Sequence, residues 1–227
     1  MQTNSRWHIL DNADAVASAA STHILTSAAQ CIAQRGCFKL VLAGGTTPEK
    51  IYTLLAKSPA DWANWWIYYG DERCLPADDA ERNNILAEKA FLNHVAIPKA
   101  QIFTIPAQLG NAEAALAYNP IIATALPFDM VLLGLGEDGH TASLFPQHVH
   151  PAEGFVHPVN NSPKPPAERV TLSAGALSAT SELLFLVTGA NKTAIVQQWR
   201  AGDDVPIAHV EPENTLDIYI DNIAYGA

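Results

Sequence analysis

The strongest candidate for a catalytic side chain is His140, which lies in the segment GEDGH (136–140) after an apolar run. An imidazole near its ordinary pKa accepts a proton at neutral pH, so this histidine suits general-base chemistry. Asp138, two residues earlier, is a candidate to orient the imidazole or to stabilise its cation. A histidine that only caps a helix is the simpler explanation, but the glycines on either side of the acid favour catalysis.

A second loop, Gly44-Gly45-Thr46-Thr47-Pro48, has the composition of an anion site. Adjacent glycines permit positive φ, so that successive backbone N–H groups can point into one concavity. The two threonine hydroxyls add donors, and a helix beginning at Thr47–Pro48 presents its positive N-terminus to the same point. The loop matches neither dinucleotide nor nucleoside-triphosphate fingerprints. Taken alone, it fits phosphate binding and a tight, capped turn about equally well.

Charged residues follow the other apolar runs. Asp71 and Arg73 come directly after WWIYY (65–69), where a solvated turn or a substrate contact explains them. The guanidinium of Arg73 donates in a fixed plane, which suits a substrate oxygen. Arg169 begins a predicted strand and Lys192 lies at a predicted strand-to-helix turn. Both are candidates to close around a phosphate.

Other reactive-looking residues do not form a recognisable site. Ser143 lacks the G-x-S-x-G elbow of a serine hydrolase. His148 and His150 have no further ligand pair in the sequence to complete a metal site, so we expect no metal. The tryptophans within 62–66 are expected in the core, since the acidic chain does not suit a nucleic-acid stacking platform.

Composition excludes several classes of partner. The chain has 227 residues, 48% of them hydrophobic and 16% charged, which excludes intrinsic disorder. With 13 basic and 23 acidic residues its net charge is −10, which disfavours nucleic acid and anionic membranes but permits a small anionic substrate. Three cysteines without C-x-x-C spacing, and a start without signal-peptide features, predict a cytoplasmic protein.

The elements that position these loops alternate between strands and helices. Continuous apolar runs predict buried strands at 37–43, 65–69, 128–134 and 182–189, with weaker strands at 6–10, 101–105, 168–172 and 216–220. Helical periodicity predicts helices from Asp11 to Arg35, from Thr47, and over 81–93, 111–125, 173–179 and 190–200. The alternation predicts an α/β fold: a single doubly wound, mostly parallel, Rossmann-like sheet with helices on both faces, in one domain covering 1–227.

Taken together, the loops resemble the 6-phosphogluconolactonase family within the wider sugar-phosphate isomerase, deaminase and lactonase superfamily. The resemblance is carried, between residues 42 and 192, by LAGGTTPEKIY (42–52), WWIYYGDERCLP (65–76), FDMVLLGLGEDGHTASLFP (128–146), KPPAERVTLS (164–173) and VTGANK (187–192). DGHTASLFP is the most specific of these segments. Two positions depart from the family pattern: Thr46 replaces a serine, and Asn83-Asn84 replaces an S-N pair.

The resemblance implies hydrolysis of 6-phospho-D-glucono-1,5-lactone to 6-phosphogluconate, a step of the oxidative pentose phosphate pathway. It implies that His140 activates water for attack on C1, supported by Asp138, and that Asp71 and Arg73 line the sugar end. It implies that the 6-phosphate is held by Gly44, Gly45, Thr46, Thr47, Arg169 and Lys192. A δ-lactone is already an activated ester, so no cofactor is expected.

Two alternatives stay open. A glucosamine-6-phosphate deaminase would need a carboxylate such as Asp71 to abstract the C2 proton; Arg73 and the continuation TASLFP after DGH favour the lactonase branch. A non-catalytic sugar-phosphate sensor would need an attached DNA-binding module, for which one 227-residue domain leaves no room. The expected partner is a small sugar-phosphate lactone, with no nucleic acid or membrane, and the expected state is a monomer or weak homodimer.

Overall fold

The computed structural model describes residues 5–151, 153–212 and 214–227. Within these ranges the strands are β1 (Ser5–Leu10), β2 (Phe38–Leu42), β3 (Trp65–Tyr69), β4 (Asp71–Arg73), β5 (Phe128–Gly134), β6 (Val156–Val159), β7 (Arg169–Leu172), β8 (Thr180–Val187) and β9 (Thr215–Asp221). The α-helices are α1 (Ala13–Arg35), α2 (Thr46–Leu55), α3 (Asn83–Ala90), α4 (Asn111–Ala125), α5 (Ala174–Ser178), α6 (Thr193–Ala201) and α7 (Asn222–Tyr225).

Six strands form one parallel sheet in the order β1-β9-β8-β5-β2-β3. The predicted α/β class and the predicted parallel sheet are therefore confirmed. The sequence did not predict a second sheet, in which β4, β7 and β6 pair antiparallel. The weaker strand predicted at 168–172 is its member β7, but β4 and β6 have only three and four residues, too few for a periodic pattern to identify. The prediction of a single sheet was therefore wrong.

The centre of the parallel sheet is also the centre of the hydrophobic core. Every residue from Phe128 to Leu133 in β5 is buried, so both faces of this strand are covered. The single charge in this stretch, Asp129, accepts hydrogen bonds from the Lys39 backbone N–H and from Arg35. Continuous burial explains why the run is apolar without alternation.

The predicted start of α1 is off by one residue. The N-cap is Asn12, whose side chain accepts from the N–H groups of Asp14 and Ala15 at 3.0 Å, whereas Asp11 was expected. Either side chain is chemically suited to the position, so the sequence alone did not separate them. The predicted end is correct, because Gly36 adopts a left-handed conformation after Arg35.

The start of α2 also differs from the prediction. Gly45, with φ of 108°, is the N-cap, and no side chain caps the helix. Thr47 was expected at the N-cap but lies inside the helix, where its hydroxyl bonds to that of Thr188 at 2.7 Å. The N–H groups at the start of α2 are therefore left without a side-chain acceptor.

One further predicted strand is absent, and one predicted helix is shorter than expected. The segment 101–105 forms no strand; Ile102 makes only an isolated parallel bridge to Ile67. The helix predicted over 81–93 is regular only over Asn83–Ala90. Both segments lie beside the parallel sheet, where tertiary contacts decide what the local pattern leaves open.

The strand order places the site. The chain runs from β2 outward to β3 on one side, while β5 and β8 lie on the other side of β2. The carboxyl ends of β2 and β5 therefore meet at a topological switch point, where open α/β sheets bind ligands. The loops containing Gly44 and His140 follow these two strands.

Candidate active site

A cleft of about 200 Å³ opens at this switch point. It brings together loops that are far apart in the sequence, and its lining includes most of the predicted site residues. The charged, polar and glycine residues that line it are Gly44, Gly45, Asp71, Arg73, Asn83, Gly134, Gly136, His140, Thr141, Lys164, Arg169 and Lys192.

His140 and Asp138 form a hydrogen-bonded pair beside the cleft. Nδ1 of His140 lies 2.5 Å from Oδ1 of Asp138, and the His140 side chain is 18% exposed. The carboxylate accepts the Nδ1 proton and so leaves Nε2 of the neutral ring as the basic atom. Within the part of the chain that the structure describes, the one hydrogen bond of the ring is made by Nδ1, and Nε2 has no partner.

Burial keeps this imidazole neutral. Desolvation lowers the pKa of His140 below 6.5, although the hydrogen bond and charge of Asp138 oppose this shift. For Asp138, burial acts to raise the pKa, but the hydrogen bond and charge of His140 outweigh burial and leave the pKa below its ordinary value. A neutral histidine held by an ionised aspartate is the arrangement that a general base requires.

Gly136 makes room for this pair. A Cβ at Gly136 would lie 2.0 Å from Nδ1 of His140 and 2.6 Å from Oδ1 of Asp138. The N–H of Gly136 also donates to the carbonyl of His140 at 2.7 Å, which closes the turn. The pair therefore packs directly on the glycine backbone.

Asp71 is held by two neutral donors. Its Oδ1 accepts from Nδ2 of Asn83 at 3.0 Å, and its Oδ2 accepts from Oγ of Ser143 at 2.6 Å. All three residues are buried. Asn83 lies so close to Gly44 that a Cβ there would be 1.9 Å from Oδ1 of the amide. Asp71 is therefore fixed at the wall of the cleft.

Glu72 fixes the same wall from behind. Its carboxylate accepts from the backbone N–H groups of Arg73 and Asn83 at 2.8 Å and of Asn84 at 2.9 Å. Asn83 and Asn84 begin α3, and the residue at its N-cap position gives no side-chain hydrogen bond. Glu72, which is distant in sequence, caps the helix instead. Desolvation raises the pKa of Glu72, while these backbone hydrogen bonds oppose the rise.

The wall beside Asp71 is cationic, because β7 pairs with β4 and places Arg169 opposite Arg73 in the register. Arg169 is buried, and its guanidinium donates to the carbonyls of Lys164, Pro165 and Pro166. Carbonyl groups satisfy its hydrogen bonds without neutralising its charge. Burial lowers the pKa of Arg169, but a guanidinium stays protonated at neutral pH. Lys164 lies beside it, at the edge of the cleft.

Arg73 and Lys192 complete the set of four cations. Arg73 donates from Nη1 to the carbonyl of Glu81, which holds its side chain along the cleft. Lys192 is half-buried, and desolvation lowers its pKa. Four cationic side chains around one cleft, in a chain of net charge −10, indicate an anionic ligand.

The glycine-rich loop is divided between two cavities. Gly44 and Gly45 line the cleft, whereas Thr46 and Thr47 line an adjoining cavity of about 210 Å³. Lys192 and both glycines border both spaces. The sequence suggested one concavity for all four loop residues; in the structure the two threonines border the adjoining cavity, which shares both glycines and Lys192 with the cleft.

Sequence reasoning missed several residues of the site. Ser143 was considered only as a nucleophile, and Lys164 and Glu72 were given no role. The contribution of Asn83 was in doubt because of its departure from the family pattern. Ser143 and Lys164 did lie within motifs that pointed to the site, but only the fold shows what they contact.

Two searches for other features found nothing in the described residues. No group of three or more His, Cys, Asp or Glu side chains within 5–151, 153–212 and 214–227 is placed to hold a metal ion. None of the helices described is long and apolar enough to cross a membrane.

The fold and the site define an α/β protein with a hydrogen-bonded histidine and aspartate beside a cleft lined by four cationic side chains. A model of the family described as "Glucosamine-6-phosphate isomerases/6-phosphogluconolactonase" matches residues 11–219. This chain therefore belongs to that family.

Individual relatives agree with this assignment. A Mycobacterium bovis protein named 6-phosphogluconolactonase is 35% identical over 233 residues, covering 94% of each chain. The crystal structure of 6-phosphogluconolactonase from Thermotoga maritima superposes with a TM-score of 0.89 at 25% identity, covering 96% of this chain and 99% of that one. A rice protein named "Probable 6-phosphogluconolactonase 4, chloroplastic" is 36% identical over 84% of this chain, which spans 64% of the rice protein's length.

Proposed function

We propose that this protein hydrolyses 6-phospho-D-glucono-1,5-lactone to 6-phosphogluconate. The observation that carries the proposal is the His140–Asp138 pair, whose basic Nε2 borders a cleft lined by four cations. Membership of a family that includes 6-phosphogluconolactonases supports the substrate. The chemistry is modest, because the lactone is an activated ester and one general base supplies about 10²- to 10⁴-fold.

In the proposed reaction, His140 takes a proton from water as the water oxygen bonds to C1 of the lactone. The carbonyl oxygen becomes an oxyanion in a tetrahedral intermediate. The bond between C1 and the ring oxygen then breaks, and the imidazolium returns its proton to that oxygen. Asp138 holds the imidazole in the required tautomer throughout.

The oxyanion requires a donor, for which the sequence offered Arg73 or the backbone N–H groups of 136–139. The N–H of Gly136 donates to the carbonyl of His140, and the N–H of Gly139 donates to the carbonyl of Gly136. These two groups are engaged within the turn, and residues 137 and 138 are not among those that line the cleft, whereas Arg73 is, so we assign the oxyanion to Arg73. Preorganised donors of this kind act strongly in a site from which water is excluded.

The 6-phosphate is assigned to the cationic wall, with Arg169, Lys192 and the backbone of Gly44 and Gly45 as its ligands. A dianion there neutralises the charge of the buried guanidinium of Arg169, whose hydrogen-bond acceptors are all neutral carbonyls. Binding the phosphate away from C1 orients the lactone for attack.

The deaminase alternative is less well supported. It needs a carboxylate that is free to take a proton from C2, and Asp71 is the candidate. Both oxygens of Asp71 accept hydrogen bonds, from Asn83 and Ser143, which disfavours it as a base.

We also infer a reducing, cytoplasmic setting from the three free cysteines. A monomer or weak homodimer stays a prediction.

The test is hydrolysis of freshly made 6-phosphogluconolactone, measured above its spontaneous rate, with glucosamine 6-phosphate as a parallel substrate. His140→Ala should abolish the enzymatic rate. The exposed His94 serves as a matched control, and His94→Ala should behave as wild type. Ammonia release from the amino sugar without lactone hydrolysis would replace this function with deamination. Lactonase activity that survives His140→Ala would keep the function but refute the base.

A further inference from the structure

One buried hydrogen bond joins the loop after β5 to strand β4 at the cleft and has no part in the reaction as written above. Oγ of Ser143 donates to Oδ2 of Asp71 at 2.6 Å, and Ser143 is fully buried. Ser143 follows His140 in the loop after β5, whereas Asp71 follows β3. The bond therefore sets the loop of the proposed base against a carboxylate from another strand.

The Ser143 hydroxyl has a fixed direction. The backbone N–H of Ser143 donates to Oγ1 of Thr171 at 3.3 Å. Nearby in the same loop, Oγ1 of Thr141 donates to the carbonyl of Gly134 at 2.8 Å. A hydroxyl on a backbone anchored at these two points is a directional donor, and hydrogen bonds to an ionised acceptor are among the strong ones in proteins.

Asp71 keeps its position without a counter-ion. Its side-chain donors, Asn83 and Ser143, are both neutral, and none of the described cations forms an ion pair with its carboxylate. A carboxylate held in this way, at the wall of the cleft that His140 also lines, attracts a cation that forms there. In the proposed reaction, that cation is the His140 imidazolium.

We propose that Ser143 is a positioning residue: by fixing the Asp71 carboxylate, it keeps a negative charge directed at the imidazolium that His140 becomes. The idea rests on the lactonase function proposed above. It gives Asp71 an electrostatic role in place of a proton-transfer role. Fixed charges of this kind stabilise a transition state because they need no reorganisation.

Charges from three elements act on His140. Burial lowers the pKa of His140, the charges of Asp138 in its own loop and Asp71 in β4 raise it, and Lys164, in the loop before β7, lowers it. Without the Ser143 hydroxyl, Asn83 alone holds the Asp71 carboxylate, and its second oxygen is drawn toward Arg169, whose charge it also feels. The imidazolium then loses support, so the pKa of His140 falls.

The sign of the effect on activity follows. Hydrolysis needs neutral His140 and fails as pH falls through its pKa, so a lower pKa moves the acid limb of kcat/KM to lower pH. The plateau kcat also falls, because the imidazolium in the transition state is less stabilised. Both effects measure the same stabilisation of the imidazolium, so we expect kcat to fall by up to about tenfold for each pH unit by which the acid limb moves.

The experiment compares pH profiles of lactone hydrolysis for wild type, Ser143→Ala and Asp71→Asn. Both variants should shift the acid limb to lower pH, Asp71→Asn further, and Ser143→Ala, at a position that does not line the cleft, should leave KM nearly unchanged. The limb's position does not depend on how much of a variant folds. Ser27→Ala is the matched control: Ser27 is also buried and donates to a carboxylate, Glu182, at 3.1 Å, but lies in α1 outside the cleft.

The outcomes separate the two proposals. A wild-type protein without lactonase activity overturns the function itself. An active wild type whose acid limb stays in place in Ser143→Ala overturns the positioning role, even if kcat falls, because that result describes a packing residue only. An unmoved limb in Asp71→Asn overturns it as well.

Discussion

Replacing Gly136 by alanine tests how closely the base depends on the backbone beneath it. The new Cβ would lie 2.0 Å from Nδ1 of His140, whereas ordinary contact begins at 3.4 Å. The imidazole must therefore move by about 1.4 Å, since the backbone of the turn is closed by its own hydrogen bonds. A misplacement of about 1 Å costs about 100-fold in rate, so we expect kcat to fall by at least that factor.

The same substitution should leave the protein folded. The φ angle of Gly136 lies outside the left-handed region, so alanine brings crowding without backbone strain. Overpacking of this kind costs about 1–3 kcal/mol, which lowers Tm by about 2–12 °C.

The assay measures kcat and KM for 6-phosphogluconolactone together with thermal unfolding. Gly175→Ala is the matched control, because the nearest atom to its Cβ is Oγ of Ser173 at 3.9 Å and it lies outside the cleft. A folded Gly136→Ala variant with kcat within threefold of wild type would refute the argument.

Three further predictions follow from the same geometry. Because burial lowers the pKa of His140, the acid limb of kcat/KM should fall below pH 6.5, and a limb above that value would contradict the placement of the base. Arg169→Met and Lys192→Met should each raise KM for the phosphorylated lactone about tenfold or more while sparing unphosphorylated gluconolactone; equal losses on both substrates would argue against a phosphate role. Glu72→Ala leaves three backbone N–H groups without their acceptor and should cost about 3 kcal/mol, lowering Tm by about 6–12 °C; an unchanged Tm would show that water replaces the carboxylate.

The sequence by itself determined the parallel sheet and the loops that carry the site. Strands such as β5 are covered on both faces and so are apolar without interruption, a signal that needs no tertiary information. Ligands bind at the carboxyl ends of such strands, which is why the sequence directed attention to the residues after them; Gly44 and His140 are among those that line the cleft. Asp138 lies two residues from His140, so the sequence made it a candidate partner, although that spacing in a loop does not require contact; the hydrogen bond is seen in the structure.

Only the tertiary structure decided which partner each side chain takes. Ser143 meets Asp71, and Glu72 caps α3, across separations in sequence that no local pattern records. The adjacent threonines of the glycine-rich loop border a neighbouring cavity, which shares both glycines and Lys192 with the cleft. Long-range hydrogen bonds depend on how strands and loops are brought together, and the residue types permit several such arrangements. The sequence therefore indicates which residue types are available for the chemistry, and the tertiary structure determines which of them are in contact.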